Sequence, residues 1–280
     1  MKNTYEVADI FRIYGKEYRE QNILPYKKLK VMHKIEVCRT ARLGGHVEQC
    51  DTCGFERIAY NSCRDRHCPK CQTMIKEKWL NDRKADLLPC NYFHMVFTIP
   101  HDLNPFILSN PKVMLNNLFA AVSQTLQVFG RDPRWKIQGQ LGFISVLHTW
   151  SQKLTDHFHI HCLIAGGALS FDKNRWISSN KTYLFRVQSL SKEFKKRYLG
   201  LFEKAYLNKE LSLPGKLANY KNKPAFSSFV RFLFGVKWLI YAKRPFAGPE
   251  QVLEYLGRYP PLSSSLGSAI IPPPRRIKST

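Results

Sequence analysis

No stretch of the chain comes near the roughly 18 uninterrupted apolar residues a membrane-crossing helix needs, so no membrane span is expected. The opening Met1-Lys2-Asn3-Thr4-Tyr5-Glu6 also lacks the apolar core of a signal peptide, and a protein that stays in the cytoplasm is expected. Acidic residues are scarce. Only 21 Asp and Glu stand against 44 Lys and Arg, a net charge of +23 over 280 residues. Such an excess favours a polyanion, of which nucleic acid is the commonest in a cell. Charge alone does not separate DNA from RNA or from an anionic membrane surface. A recognisable helicase motif is missing too. Aromatics make up 13% of the chain and are interleaved with the basic residues, as single-strand binding requires, although many of them must serve a core.

Cysteine is plentiful in one place. Six of the eight cysteines fall between Cys38 and Cys71. Clustered cysteines in a cytosolic chain argue for metal rather than disulfides. The main pattern is Cys50-Asp51-Thr52-Cys53 followed, after fourteen residues, by Cys68-Pro69-Lys70-Cys71. Two such knuckles let four thiolates converge on a structural zinc. Cys38, His46, Cys63 and His67 are left over and make a second Cys2His2 set, equally readable as free side chains. Arg64, Arg66, Lys70, Lys76 and Lys78 surround the later ligands and suit phosphate contact. A zinc with four protein ligands has no position for water, so this module reads as a DNA-docking unit rather than a reaction centre.

Helices are expected at about 5–20 and 25–37, interrupted at Ile23-Leu24-Pro25, and from Lys76 to Leu88, ended by Pro89. From Asn91 strands alternate with helices. Tyr92 to Ile99 reads as a strand, Val113 to Phe129 as a helix, and Gly142 to Trp150 with Phe158 to Ala165 as a strand pair closed by Gly166-Gly167. Residues 185–209 and 226–240 read as mainly helical, and Pro249 to Arg258 as a helix. The expected fold class is α+β with an antiparallel sheet. Residues 1–90 form the N-terminal, Cys-rich part, 91–259 a second domain, and 260–280 a Pro- and Ser-rich tail expected to be disordered.

His159 and His161 alternate along a strand, so both project from one face, where two imidazoles can hold one divalent metal. A hairpin turning near Gln152 to Thr155 would set His148 opposite His159 and complete a three-histidine site; His148 also reads as an ordinary core or surface histidine. His157 shares the face by parity and is a reserve ligand or phosphate contact. Tyr255 and Tyr259 are four apart and lie on one helical face. Alone, such a pair reads as core packing. Beside a metal site, a tyrosine can attack a phosphodiester and hold the DNA end as a phosphotyrosine.

The run His159-Ile160-His161-Cys162-Leu163-Ile164-Ala165-Gly166-Gly167 comes with the head Cys38-Arg39-Thr40 through Cys63-Arg64-Asp65-Arg66-His67-Cys68-Pro69-Lys70-Cys71 and the segment Tyr241 to Tyr259. Together they resemble the two-tyrosine HUH transposases of the insertion-sequence 91 family, over roughly residues 25–259. The resemblance implies a zinc-binding domain and an HUH nuclease core, an antiparallel sheet with flanking helices. It implies rolling-circle transposition of single-stranded DNA without a DDE triad, with His159 and His161 holding Mg2+ or Mn2+ and Tyr255 and Tyr259 as nucleophiles. The spacing of His148 is similar to that of the three-histidine relaxases. After Tyr259 the sequence leaves the family's pattern, and a shortened copy is expected. Two rivals remain open: a relaxase or replication initiator, and a DNA-binding remnant without catalysis.

Overall fold

The computed structural model describes residues 5–65, 67–151, 155–179, 183–243 and 248–257. The chain divides into two compact units, Met1–Asp82 and Arg83–Thr280. That division lies slightly before the expected one at residue 90.

In the first unit, α1 (Val7–Gln21) and α2 (Tyr26–Val37) flank the expected break at Pro25. Arg19 pairs with Glu36 at 2.8 Å to tie the two helices together. A hairpin that the sequence reading did not anticipate follows, β1 (Gly45–Gln49) and β2 (Glu56–Tyr60), joined in antiparallel register from Gly45 opposite Tyr60 to Gln49 opposite Glu56. The next helix, α3 (Pro69–Ala85), begins earlier than expected, on a proline whose fixed φ suits a first helical turn. The apolar centre of this unit is small among the described residues: Ala8, Ile35, Cys38, Cys68 and Cys71 cluster with Phe11 and Val31 against them, and Met32, Val37 and Leu80 are the other buried apolar side chains. So little buried apolar surface is the situation in which small modules depend on a metal.

The second unit comprises β3 (Tyr92–Thr98), α4 (Asn104–Ser109), α5 (Pro111–Arg131), β4 (Gln140–Trp150), β5 (Asp156–Leu169), β6 (Trp176–Ser178), α6 (Val187–Leu207), α7 (Lys223–Gly235), β7 (Ile240–Lys243) and α8 (Pro249–Gly257). Its strands form one antiparallel sheet in the order β4-β5-β3-β7, with β6 pairing the far end of β5. The fold is α+β, as the sequence leads one to expect. Two local readings differ. Residues 226–240 are not one helix, because α7 stops at Gly235 and the chain returns as the edge strand β7. Gly166-Gly167 does not close β5; the strand runs through it to Leu169. A Cβ at Gly166 would sit 2.6 Å from the Asn91 carbonyl oxygen, and one at Gly167 2.6 Å from that of Ile177, so the pair answers to close backbone approach.

Strand alternation sorts the side chains onto two faces. Phe93, Met95 and Phe97 of β3 and Ile160, Cys162 and Ile164 of β5 turn to one side, where Leu118 and Leu126 of α5, Phe194 and Phe202 of α6 and Val230 of α7 bury them. Each such large apolar side chain contributes about 1.5–3 kcal/mol, which makes this face the rigid floor of the sheet. The opposite face carries the histidines, and α8 lies over it.

Candidate active site and metal centres

Four cysteines converge in the first unit: Cys38 just after α2, Cys63 after β2, Cys68 before α3 and Cys71 in its first turn. Cys71 Sγ is 3.5 Å from Cys38 Sγ and 3.6 Å from Cys63 Sγ, and all four sulfurs lie within 4.8 Å of one another. Thiolates at ~2.3 Å from a tetrahedral zinc stand roughly 3.8 Å apart, so this spacing fits that ion. Burial pushes the Cys63 and Cys68 thiols up from their ordinary range. A cation among the sulfurs reverses that tendency.

This set differs from the expected one. Cys68 and Cys71 belong to it, but Cys50 and Cys53 are exposed at the hairpin tip, where Gly54 turns with φ +72° and donates to the Cys50 carbonyl at 2.9 Å. Five ladder residues at ~3.4 Å each put the tip some 14 Å from the hairpin base that carries Cys63, too far to share an ion. The leftover Cys2His2 set is not gathered either. Cys38 and Cys63 belong to the four-cysteine cluster. His46 is exposed on β1 with Nε2 3.4 Å from Glu48 Oε1, and His67 lines a groove with Phe11 and Tyr14. Among the described residues the first unit holds one cluster of three or more such ligands.

In the second unit β4 and β5 pair so that His148 lies directly opposite His159. The turn residues 152–154 lie outside the described residues. His148, His159 and His161 are all buried and offer ring nitrogens within 4.8 Å of one another. The ring centroids of His148 and His161 are 4.2 Å apart, and those of His159 and His161 4.9 Å. His159 Nδ1 donates to the His157 carbonyl at 2.9 Å, which leaves Nε2 with its lone pair. His161 Nε2 is buried and, among the described residues, has no hydrogen-bond partner. A buried ring nitrogen with its lone pair unmet suits a metal ligand. Three neutral imidazoles suit a divalent cation. His157 packs against His101, centroids 5.0 Å apart, and is not among the converging nitrogens.

Burial, then the His159 and His94 neighbours, pulls His148 from the ordinary 6.5 down to about 4. Burial, then His148, His159 and His94, pulls His161 down to about 2. Both rings are therefore neutral and ready to ligate at pH 7. A depressed folded value means that the unfolded chain binds more protons below pH 6.5, so stability is full above that pH and falls as the solution is acidified. Each of the two groups is expected to withdraw about 1.4 kcal/mol per pH unit between 6.5 and its own folded value. Urea unfolding of the zinc-loaded protein at pH 6.5 and 5.5, without added Mg2+ or Mn2+, measures this. A His148→Gln, His161→Gln double variant should show a shallower slope, with the remainder coming from His94, His157 and His159, which burial also lowers; an unchanged slope would contradict the assignment.

Tyr255, in α8, stands over this cluster with its ring centroid 5.9 Å from that of His161 and 6.2 Å from that of His148. Leu253 and Leu256 on the buried side of α8 anchor the helix, and Lys84 holds Glu254 at 2.9 Å. Tyr255 is 43% exposed, enough for a substrate to reach the phenol. Tyr198, by contrast, is wholly buried, and burial pushes its phenol up, which removes it from consideration as a nucleophile. Tyr259 lies outside the described residues. One neighbour of the cluster was not singled out from sequence. His94 on β3 reaches His161, and its signal would have been its strand parity, legible only once β3 is known to lie beside β5.

An α+β unit with three convergent histidines beneath a helical tyrosine, preceded by a four-cysteine module, is the setting for the comparisons with known proteins. Residues 10–99 match the family described as "Transposase zinc-binding domain", and residues 142–263 the family described as "Putative transposase". Over 255 residues the chain is 46% identical to "Putative transposase y4qJ" of Sinorhizobium fredii (strain NBRC 101917 / NGR234), covering 91% of this chain and 64% of that protein. Over 246 residues it is 26% identical to "Transposase for insertion sequence element IS801" of Pseudomonas savastanoi pv. phaseolicola, covering 85% of this chain and 57% of that protein. No solved structure matches the chain significantly.

Over most of its length the chain is thus similar to transposases, its N-terminal part to a transposase zinc-binding domain and its C-terminal part to a transposase family. It spans less than two thirds of the length of these two curated relatives. Among the described residues no helix is long and apolar enough to cross a membrane.

Proposed function

We propose that this protein nicks and rejoins single-stranded DNA at transposon ends through a covalent phosphotyrosine, in a rolling-circle type of transposition. The observation that carries the proposal is the placement of the Tyr255 ring beside those of His148 and His161, in the cluster that they form with His159, which combines a nucleophile with a divalent-metal site. When bound there, Mg2+ or Mn2+ supplies Lewis-acid polarisation of the scissile phosphate and offsets its developing charge. The three imidazoles hold and orient the ion from a rigid sheet, and burial keeps them neutral for that task.

The Tyr255 phenol oxygen attacks the phosphorus and loses its proton. The bond from phosphorus to the 3′-oxygen breaks, and that oxygen takes up a proton to become a free 3′-hydroxyl. The DNA 5′ end stays on the tyrosine, and the retained bond energy allows rejoining without ATP. Tyr259 is assigned the second transfer, four residues along. Cys38, Cys63, Cys68 and Cys71 hold the structural zinc, and the excess positive charge binds the DNA backbone.

The test is to incubate the protein with end-labelled single-stranded DNA and Mn2+ and look for an adduct that survives denaturation. The expected adduct disappears in Tyr255→Phe, Tyr259→Phe double-variant protein. DNA binding with no adduct would favour the binding-only reading, and an adduct unaffected by the double change would remove both tyrosines from the mechanism.

A further inference from the structure

We infer that His94 is a positioning residue that fixes the tautomer of His161, so that His161 presents its Nε2 lone pair to the metal site. The inference rests on the nuclease reading above for the role of that metal. Its geometric basis is independent of it.

His94 Nε2 lies 2.8 Å from His161 Nδ1. The two rings are 14° from parallel with centroids 5.0 Å apart, too far for face-to-face overlap, so they meet edge to edge along the nitrogen–nitrogen line. Sheet register explains the meeting. His161 is directly opposite Val96 and His94 opposite Leu163, which makes His94 and His161 diagonal neighbours on the same face. The contact links adjacent strands of a rigid sheet.

In a pair of neutral imidazoles, one nitrogen donates and the other accepts. If His94 donated from Nε2, His161 would carry its own proton on Nε2, a buried position with no acceptor. A buried donor left unmet costs about 1–3 kcal/mol, and a proton there also blocks ligation. If His161 donates from Nδ1 instead, Nε2 keeps its lone pair for a metal held with His148 and His159. His159 is held in the same sense by the His157 carbonyl, which can only accept. Both strand-β5 ligands are thus gripped at Nδ1, one by backbone and one by His94. Partners of this kind orient metal-binding imidazoles and raise their basicity.

The experiment uses full-length, zinc-loaded protein with 15N-labelled histidine side chains. NMR in the absence of added Mg2+ or Mn2+ reads the His161 tautomer, and Mn2+ titration followed by EPR reads affinity. Wild type is expected to show His161 protonated at Nδ1. Replacing His94 with Leu removes the acceptor and should weaken Mn2+ binding about 10- to 100-fold, whereas His94→Gln, whose amide oxygen still accepts, should stay within about threefold. His161 protonated at Nε2 in wild type would overturn the inference, as would unchanged Mn2+ affinity in the Leu variant. Should the Leu variant fail to fold, the wild-type tautomer and the Gln variant still decide. A His159→Ala control separates the two levels. If it leaves Mn2+ binding intact, the metal reading of the cluster fails, while the tautomer result stands or falls by itself.

Discussion

Replacing His161 with Ala is expected to lower DNA strand cleavage on the order of 10²–10³-fold at saturating Mn2+, with single-stranded DNA binding nearly unchanged. His161 sits at the centre of the ring cluster, 4.2 Å from His148, 4.9 Å from His159 and 5.9 Å from Tyr255 between centroids. The removed ring is neutral, so the variant loses a ligand without stranding a charge, and the sheet beneath it is packed by Phe93, Met95 and Phe97 from the other side. Single-turnover cleavage measured beside a DNA-binding titration tests this. Cleavage within a few-fold of wild type would place the metal elsewhere.

The second large effect concerns the zinc-binding domain. Cys68→Ser should abolish stoichiometric zinc and the cooperative unfolding of the first unit, because structural zinc contributes on the order of 10 kcal/mol to domains of this size. Among the described residues the buried apolar side chains there are Ala8, Met32, Ile35, Val37 and Leu80 besides the cysteines, too little to hold three helices and a hairpin without the ion. Cys50→Ser, Cys53→Ser protein should keep its zinc and its unfolding transition, since those two thiols are exposed at the hairpin tip. Metal analysis and circular dichroism of both variants separate the two assignments. Loss of zinc from the Cys50, Cys53 variant would restore the knuckle pairing read from spacing.

These two cases also show what a sequence can disclose. The histidine site was legible because its geometry is local. Strand alternation puts 159 and 161 on one face, and a short hairpin brings 148 opposite 159, a pairing the structure contains. The tyrosine helix was legible from Pro249 onward for the same reason. The thiolate set was not. Two Cys-x-x-Cys knuckles look equivalent along the chain, and only the five-residue ladder of β1 and β2, read from residues with little apolar alternation, carries one of them away from the other. His94 was illegible on similar grounds. Its partner lies 67 residues on, and the contact depends on β3 pairing with β5 in one particular register. Strand β7 was absorbed into a helix because Phe226 to Phe234 is strongly apolar and helical in period, and nothing in Val236 to Tyr241 breaks that pattern except Gly235 before it.

The chemistry itself leaves a chemical mark on the chain, and Arg258 makes that mark easy to locate. Trypsin cleaves after Arg258 and so separates Tyr255 from Tyr259, sending each to a different peptide. Mass spectrometry of the digested protein–DNA adduct therefore reads which tyrosine carries the 5′-phosphate. The account predicts nucleotide mass on the peptide that ends at Arg258, at Tyr255, after a first cleavage with Mn2+. Cleaved DNA bearing a free 5′-phosphate, with neither tyrosine peptide modified, would contradict it.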